Sequence, residues 1–325
     1  MRIAYIDKLK ALAIFFVVVG YVSYFSFGLG ETSLSRLYKS FYMPLFFFLS
    51  GIFVFHFPLN LSLKYVRSFL KKKILRIMVP FFSFGGLYAF LTNENFDVVH
   101  WYVHDSVMYW FLPVLFSYML VALFIEFVSE KIWGNRFYND LISFSLIFVL
   151  IKFFIHLQPD DFLYHYLINF TYWIHYFMFG MFFAKYSWVK NMVENSNLLY
   201  SLCLIAWISY IFVDIPLVSF ASIVVLVQIF KKNDLKIPSF MSTMGTFSLE
   251  IYAIHYFLLP VLSPVGEWLR EIPLGRLVNN GNMILEFLLS SSLALPVVGI
   301  SILVSRFIKH GSITNAIFFG VSKEG

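Results

Sequence analysis

Apolar residues in this chain fall in long blocks, not in the stripes of an amphipathic fold. Each block runs about 17–24 residues between polar breaks, the length an α-helix needs to cross a hydrocarbon layer of about 30 Å. The blocks lie at 11–29, 40–57, 74–92, 107–128, 139–157, 166–186, 197–213, 215–231, 246–263 and 284–306. They predict an all-α polytopic membrane protein: a bundle of about ten transmembrane helices, one domain over 1–325, with no separate soluble domain. Asp214-Ile215-Pro216 leaves almost no loop between the seventh and eighth blocks, and a proline there can open the helix that follows.

Composition sharpens this picture. Of 325 residues, 60% are hydrophobic and 13% charged, about half the charged share of a soluble domain. The mean hydropathy is +0.79. The 42 Phe and 20 Tyr exceed what one globular core could bury. The first block follows a basic N-region without a small-residue cleavage site, so it is expected to be retained as a span. Cys203 is the lone cysteine, which rules out an intramolecular disulfide and a cysteine metal cluster; no metal site is expected.

The net charge of +6 belongs to loops, not to a nucleic-acid surface. With a cytoplasmic N-terminus, nineteen Lys and Arg fall on inner segments, while Arg36, Lys39, Arg270 and Arg276 fall outside and Lys152 lies within a span. That bias predicts both termini in the cytoplasm of a plasma or inner membrane, with basic loops facing anionic lipid.

Several constellations could carry chemistry. Lys10 and Tyr21 are eleven residues apart, about three helical turns, so they share a face roughly 16 Å apart along the axis. A pocket could grip a charged ligand at Lys10 and present its reactive end near Tyr21; a snorkelling lysine and a core tyrosine would give the same pattern. Lys71-Lys72-Lys73 opens the third block, and Arg76 follows three residues later, where i and i+3 positions are neighbours. Lys10, Lys73 and Arg76 could hold phosphates at the inner surface, as on a coenzyme A thioester. His175 and His255 fall near mid-span, His156 towards the outside and His56 towards the inside. Ionisable groups at depth are functional candidates by default, against the alternative of a neutral histidine bonded to a neighbouring helix. His255 follows Glu250 in Ser248-Leu249-Glu250-Ile251-Tyr252-Ala253-Ile254-His255. Lys152 and His156 share a face. Trp110-Phe111-Leu112-Pro113 opens the fourth block as an interfacial tryptophan, or, with Tyr21 and Tyr42, as an aromatic floor for a sugar ring.

In this order the pieces resemble the membrane-bound acyltransferase 3 family of bacterial multi-span O-acyltransferases. The resemblance rests on Asp7-Lys8-Leu9-Lys10, Met43-Pro44-Leu45-Phe46-Phe47-Phe48-Leu49-Ser50-Gly51, the Lys73/Arg76 pair leading to Pro80, Trp110-Phe111-Leu112-Pro113, and Ser248-Leu249-Glu250-Ile251-Tyr252 with His255. It implies a ten-helix bundle that moves an acyl group, often acetyl, from cytoplasmic acyl-CoA to a hydroxyl of a carbohydrate or lipid-linked glycan. Acyl-CoA is then a co-substrate, and no resident cofactor is implied. Lys10 matches the family's basic position. Tyr21 and Tyr42 stand where the family carries histidines. Tyrosine titrates near 10 and histidine near 6.5, so Tyr21 could donate to an oxyanion but is a poor base. The base role then falls to His255 or His175, with Tyr42 and Trp110 lining the acceptor end; otherwise turnover is slow or transfer is lost. The alternatives are a non-catalytic relative that binds or translocates acyl-CoA or a glycan, and a secondary transporter. The last is disfavoured by the lack of an inverted repeat and of matched broken helices.

Overall fold

A computed structural model of the chain describes residues 4–55, 62–92, 109–129, 136–157, 161–210, 218–232, 239–272 and 282–321. Every regular element among them is helical: α1 (Ala4–Phe27), α2 (Ser33–Lys39), α3 (Tyr42–Phe55), α4 (Leu63–Lys73), a π-helical turn (Ile74–Met78), α5 (Val79–Thr92), α6 (Phe111–Val128), α7 (Phe137–His156), α8 (Asp161–Lys185), α9 (Ser187–Asn195), α10 (Asn197–Ser209), α11 (Val218–Lys232), α12 (Ser239–Thr246), α13 (Ser248–Glu271), α14 (Met283–His310) and α15 (Ser312–Phe319). Among the described residues, seven stretches are long and apolar enough to cross a membrane: Tyr5–Phe27, Ser33–Val54, Leu63–Thr92, Phe111–Val128, Phe137–His156, Ser248–Glu271 and Met283–His310. The chain is an all-α polytopic membrane protein. The other three expected spans are also helical, α8 over 25 residues, α10 over 13 and α11 over 15. The turn at Pro216, the segment 93–106 and His56 lie outside the described residues.

Two boundaries differ from the sequence expectation. The polar stretch before the third span is helical from Leu63, because Ser62 caps it by accepting the Tyr65 N–H. The ninth span runs on to Glu271 through Pro260 and Pro264, residues that would end a helix in water. Prolines are tolerated in membrane helices, where neighbours re-satisfy the freed backbone groups.

The helices gather into two compact units, one of Met1–Phe46 with Lys190–Phe307 and one of Phe47–Val189 with Ile308–Gly325. In the first unit α1 packs along α12 and α13. Gly245 sits directly on the Asp7 backbone and Gly266 on the Ser26 backbone, the close small-residue approach by which helices associate in lipid. Lys231 and the Tyr5 hydroxyl both reach the buried Glu194 carboxylate. In the second unit Gly51 of α3 meets the Phe177 carbonyl of α8, and Gly180 of α8 meets the Phe48 carbonyl. One turn from that seam, α6, α7 and α8 share a buried ion cluster. Lys185 Nζ lies 2.7 Å from both Glu126 Oε2 and Asp140 Oδ2, and the Tyr186 hydroxyl donates to Asp140 Oδ2 at 2.6 Å.

Candidate functional site

The first unit holds Lys10, Tyr21, Tyr42 and His255. Because α1 is one unbroken helix of 24 residues, Lys10 and Tyr21 do share a face, about 16 Å apart along the axis. Both are half-buried, as is Tyr42. Tyr21 lies with its ring centroid 5.3 Å from the His255 imidazole and 5.0 Å, edge to face, from Tyr256. Tyr42 is 6.0 Å from Tyr38 by ring centroid and within electrostatic reach of Tyr21.

His255 is fully buried. Its Nδ1 stands 3.0 Å from the Ile251 carbonyl oxygen and 2.8 Å from that of Tyr252. Carbonyls only accept, so Nδ1 carries the hydrogen and Nε2 keeps the lone pair. Nε2 is buried and has no hydrogen-bond partner among the described residues. The helix's own backbone thus selects the tautomer and holds a basic nitrogen in reserve beside Tyr21. Glu250, one to two turns earlier on α13, is buried as well.

A buried carboxylate completes this end of the unit. Glu286 of α14 is 1% exposed. Its Oε1 accepts from the Ser23 hydroxyl at 3.2 Å and from the Thr32 hydroxyl at 2.9 Å. Tyr38 lies beside Ser23 and within electrostatic reach of Glu286. Aromatic and polar groups therefore follow one another from His255 through Tyr21, Tyr42, Tyr38 and Ser23 to Glu286.

The second unit holds Lys73, Arg76, Trp110 and His175. Lys73 is half-buried with its ammonium 5.3 Å over the Phe69 ring, and it feels the Arg76 charge. Arg76 is exposed. It lies in the π-helical turn, where Val79 N–H bonds to Ile74 O. That wider turn leads through Val79 into Pro80, which has no N–H to offer. Trp110 stacks on Trp173 at 6.1 Å and lies 6.1 Å from Phe47, so it is a packed member of an aromatic cluster. His175, half-buried, has its ring 4.1 Å from Tyr176. Lys152 and His156 are exposed on α7, of whose span 11% is buried; Lys152 lies 5.8 Å over the Phe148 ring.

Glu286, Glu126 and Asp140 were not singled out by sequence pattern, although each lies inside a predicted span. An acid within an apolar block is a recognisable signal. All three stand near block ends, where a solvated loop explains them equally well.

A family model described as an acyltransferase domain matches residues 3–306. No curated protein and no solved structure matches the chain.

Proposed function

Because the chain belongs to the acyltransferase 3 family, a membrane acyltransferase class, we propose that it transfers an acyl group, acetyl in the simplest case, from cytoplasmic acyl-CoA to a hydroxyl of a cell-surface carbohydrate or lipid-linked glycan. One observation carries the reading: His255 presents a buried Nε2, without a hydrogen-bond partner among the described residues, beside the position where the family's own histidine is replaced by Tyr21.

In this mechanism His255 Nε2 takes the proton of the acceptor hydroxyl as its oxygen attacks the thioester carbonyl. The Nδ1–H bonds to Ile251 and Tyr252 remain in place and favour the imidazolium that forms. The Tyr21 hydroxyl donates to the developing oxyanion. Collapse of the tetrahedral intermediate breaks the C–S bond, and the CoA sulfur leaves with the proton from His255. Lys10 is the cation of the first unit assigned to the donor's phosphates, with Tyr42 of the same unit assigned to the acceptor. His175 is the alternative base, and replacing each histidine separately distinguishes the two.

The tyrosines at 21 and 42 favour a second reading, a relative that binds acyl-CoA or a glycan without transfer. The double variant Tyr21→His, Tyr42→His decides between them. If it gains transfer that the parent lacks, the parent is non-catalytic. If the parent transfers label from radiolabelled acetyl-CoA to cell-envelope glycans, the second reading falls.

A further inference from the structure

No step of the proposed transfer uses the basic helix α4. Its sequence, Leu63-Lys64-Tyr65-Val66-Arg67-Ser68-Phe69-Leu70-Lys71-Lys72-Lys73, holds five cations and no acid. Lys64, Arg67, Lys71 and Lys72 recur at i, i+3, i+7 and i+8, so they form one stripe, and all four are exposed. Tyr65, Val66, Phe69 and Leu70 fall on the other side and are half-buried. Among the described residues none of these four cations pairs with a carboxylate. The stripe works against its own helix. Like charges at i, i+3 and i, i+4 repel, and Lys64 stands in the first turn, at the positive end of the helix dipole. Negative charge outside the helix offsets both effects.

Helix length places that stripe beside the membrane surface. α4 continues through the π-helical turn into α5, and Leu63–Thr92 is one stretch of 30 residues. That is about 45 Å of helix against about 30 Å of hydrocarbon. The excess of about 15 Å matches the 11 residues of α4. α15 marks the same boundary. Gly320 sits on the Leu75 backbone, Phe318 and Phe319 meet Phe84 at 5.1 and 5.4 Å by ring centroid, and the Ser83 hydroxyl donates to the Ile317 carbonyl at 2.5 Å. On α15, Ile313 and Ile317, one turn apart, are 72% and 53% exposed, as suits a helix whose apolar side meets acyl chains. The segment from Leu75 to Phe84 therefore lies against lipid, and α4 lies just outside it, at headgroup level. We propose that the face of α4 carrying Lys64, Arg67, Lys71 and Lys72 binds the phosphates of anionic lipid headgroups in the adjoining leaflet. This binding holds whether or not the protein transfers an acyl group.

The test uses the full chain in nanodiscs of equimolar phosphatidylglycerol and phosphatidylcholine. Ser68, exposed within the basic stripe, takes a small neutral fluorophore through Ser68→Cys on a Cys203→Ser background. One lipid or the other carries a nitroxide near its headgroup, and the ratio of the two quenching efficiencies reads the lipid composition beside α4. The label on phosphatidylglycerol is expected to quench about fivefold more than the label on phosphatidylcholine, the worth of one cation near an anionic surface. Changing the stripe to Lys64→Gln, Arg67→Gln, Lys71→Gln and Lys72→Gln keeps the helix propensity and should bring the two labels level. Should that variant not fold, the parent at about 0.5 M salt replaces it, because screening then acts within about 4 Å. A preference above about threefold that falls below about twofold on neutralisation or in salt supports the proposal. Equal quenching by the two labels, or a preference that neither change lowers, overturns it. So does the absence of quenching by both labels, since α4 would then stand clear of lipid. Loss of the preference on adding inorganic phosphate at constant ionic strength would assign the stripe to a soluble phosphate instead, and the lipid proposal falls.

Discussion

Replacing Lys185 by methionine tests whether the second unit is tied together by charge. Lys185 contacts two carboxylates, each at 2.7 Å, from α6 and α7. Its side chain is 11% exposed, that of Glu126 10% and that of Asp140 0%. Methionine keeps the length and apolar stem but leaves two carboxylates buried without a cation. Breaking a buried pair from one side costs about 3–5 kcal/mol, roughly two to three and a half powers of ten in the folding equilibrium. The measurement is reversible unfolding in mixed micelles, followed by tryptophan fluorescence. Lys185→Arg should stay within about 1 kcal/mol of the parent, because it keeps the charge and both contacts. The triple change Glu126→Gln, Asp140→Asn, Lys185→Met should recover most of the loss, since a neutralised triad removes the stranded charge. A Lys185→Met loss below about 1 kcal/mol, or a triple variant no more stable than the single one, would refute the reasoning.

Gly180→Ala should destabilise the second unit by about 1–3 kcal/mol, because the new Cβ lands on the Phe48 backbone carbonyl, which cannot move without parting α3 from α8; the same unfolding assay reads it. Tyr21→Phe keeps the ring against His255 and removes the phenol donor. It should lower kcat about 10²–10³-fold with little change in the KM for acyl-CoA, as measured by steady-state transfer kinetics.

The membrane class was legible because block length alone carries it: a helix must span the hydrocarbon whatever its neighbours do. Helix ends were less legible. Leu63–Lys73 and the run past Pro264 look like loops by polarity and proline content, but capping by Ser62 and the tolerance of membrane helices for proline extend them. The shared face of Lys10 and Tyr21 followed from α-helical periodicity, which holds along α1. That His255 stands against Tyr21 is a tertiary fact that no spacing encodes. Nor does spacing show that Trp110 is stacked on Trp173, or that Lys152 lies on the exposed side of α7.

The central claim is that His255 supplies the base that Tyr21 cannot. The most direct measurement supplies radiolabelled acetyl-CoA and cell-envelope glycans to the purified, reconstituted protein and to its His255→Gln variant. The account predicts label on the glycan with the parent and a fall of about 10²–10⁴-fold in the variant, without loss of folded protein. Label transfer by the variant at the parent's rate, or none by the parent where a relative bearing both family histidines is active, would contradict it.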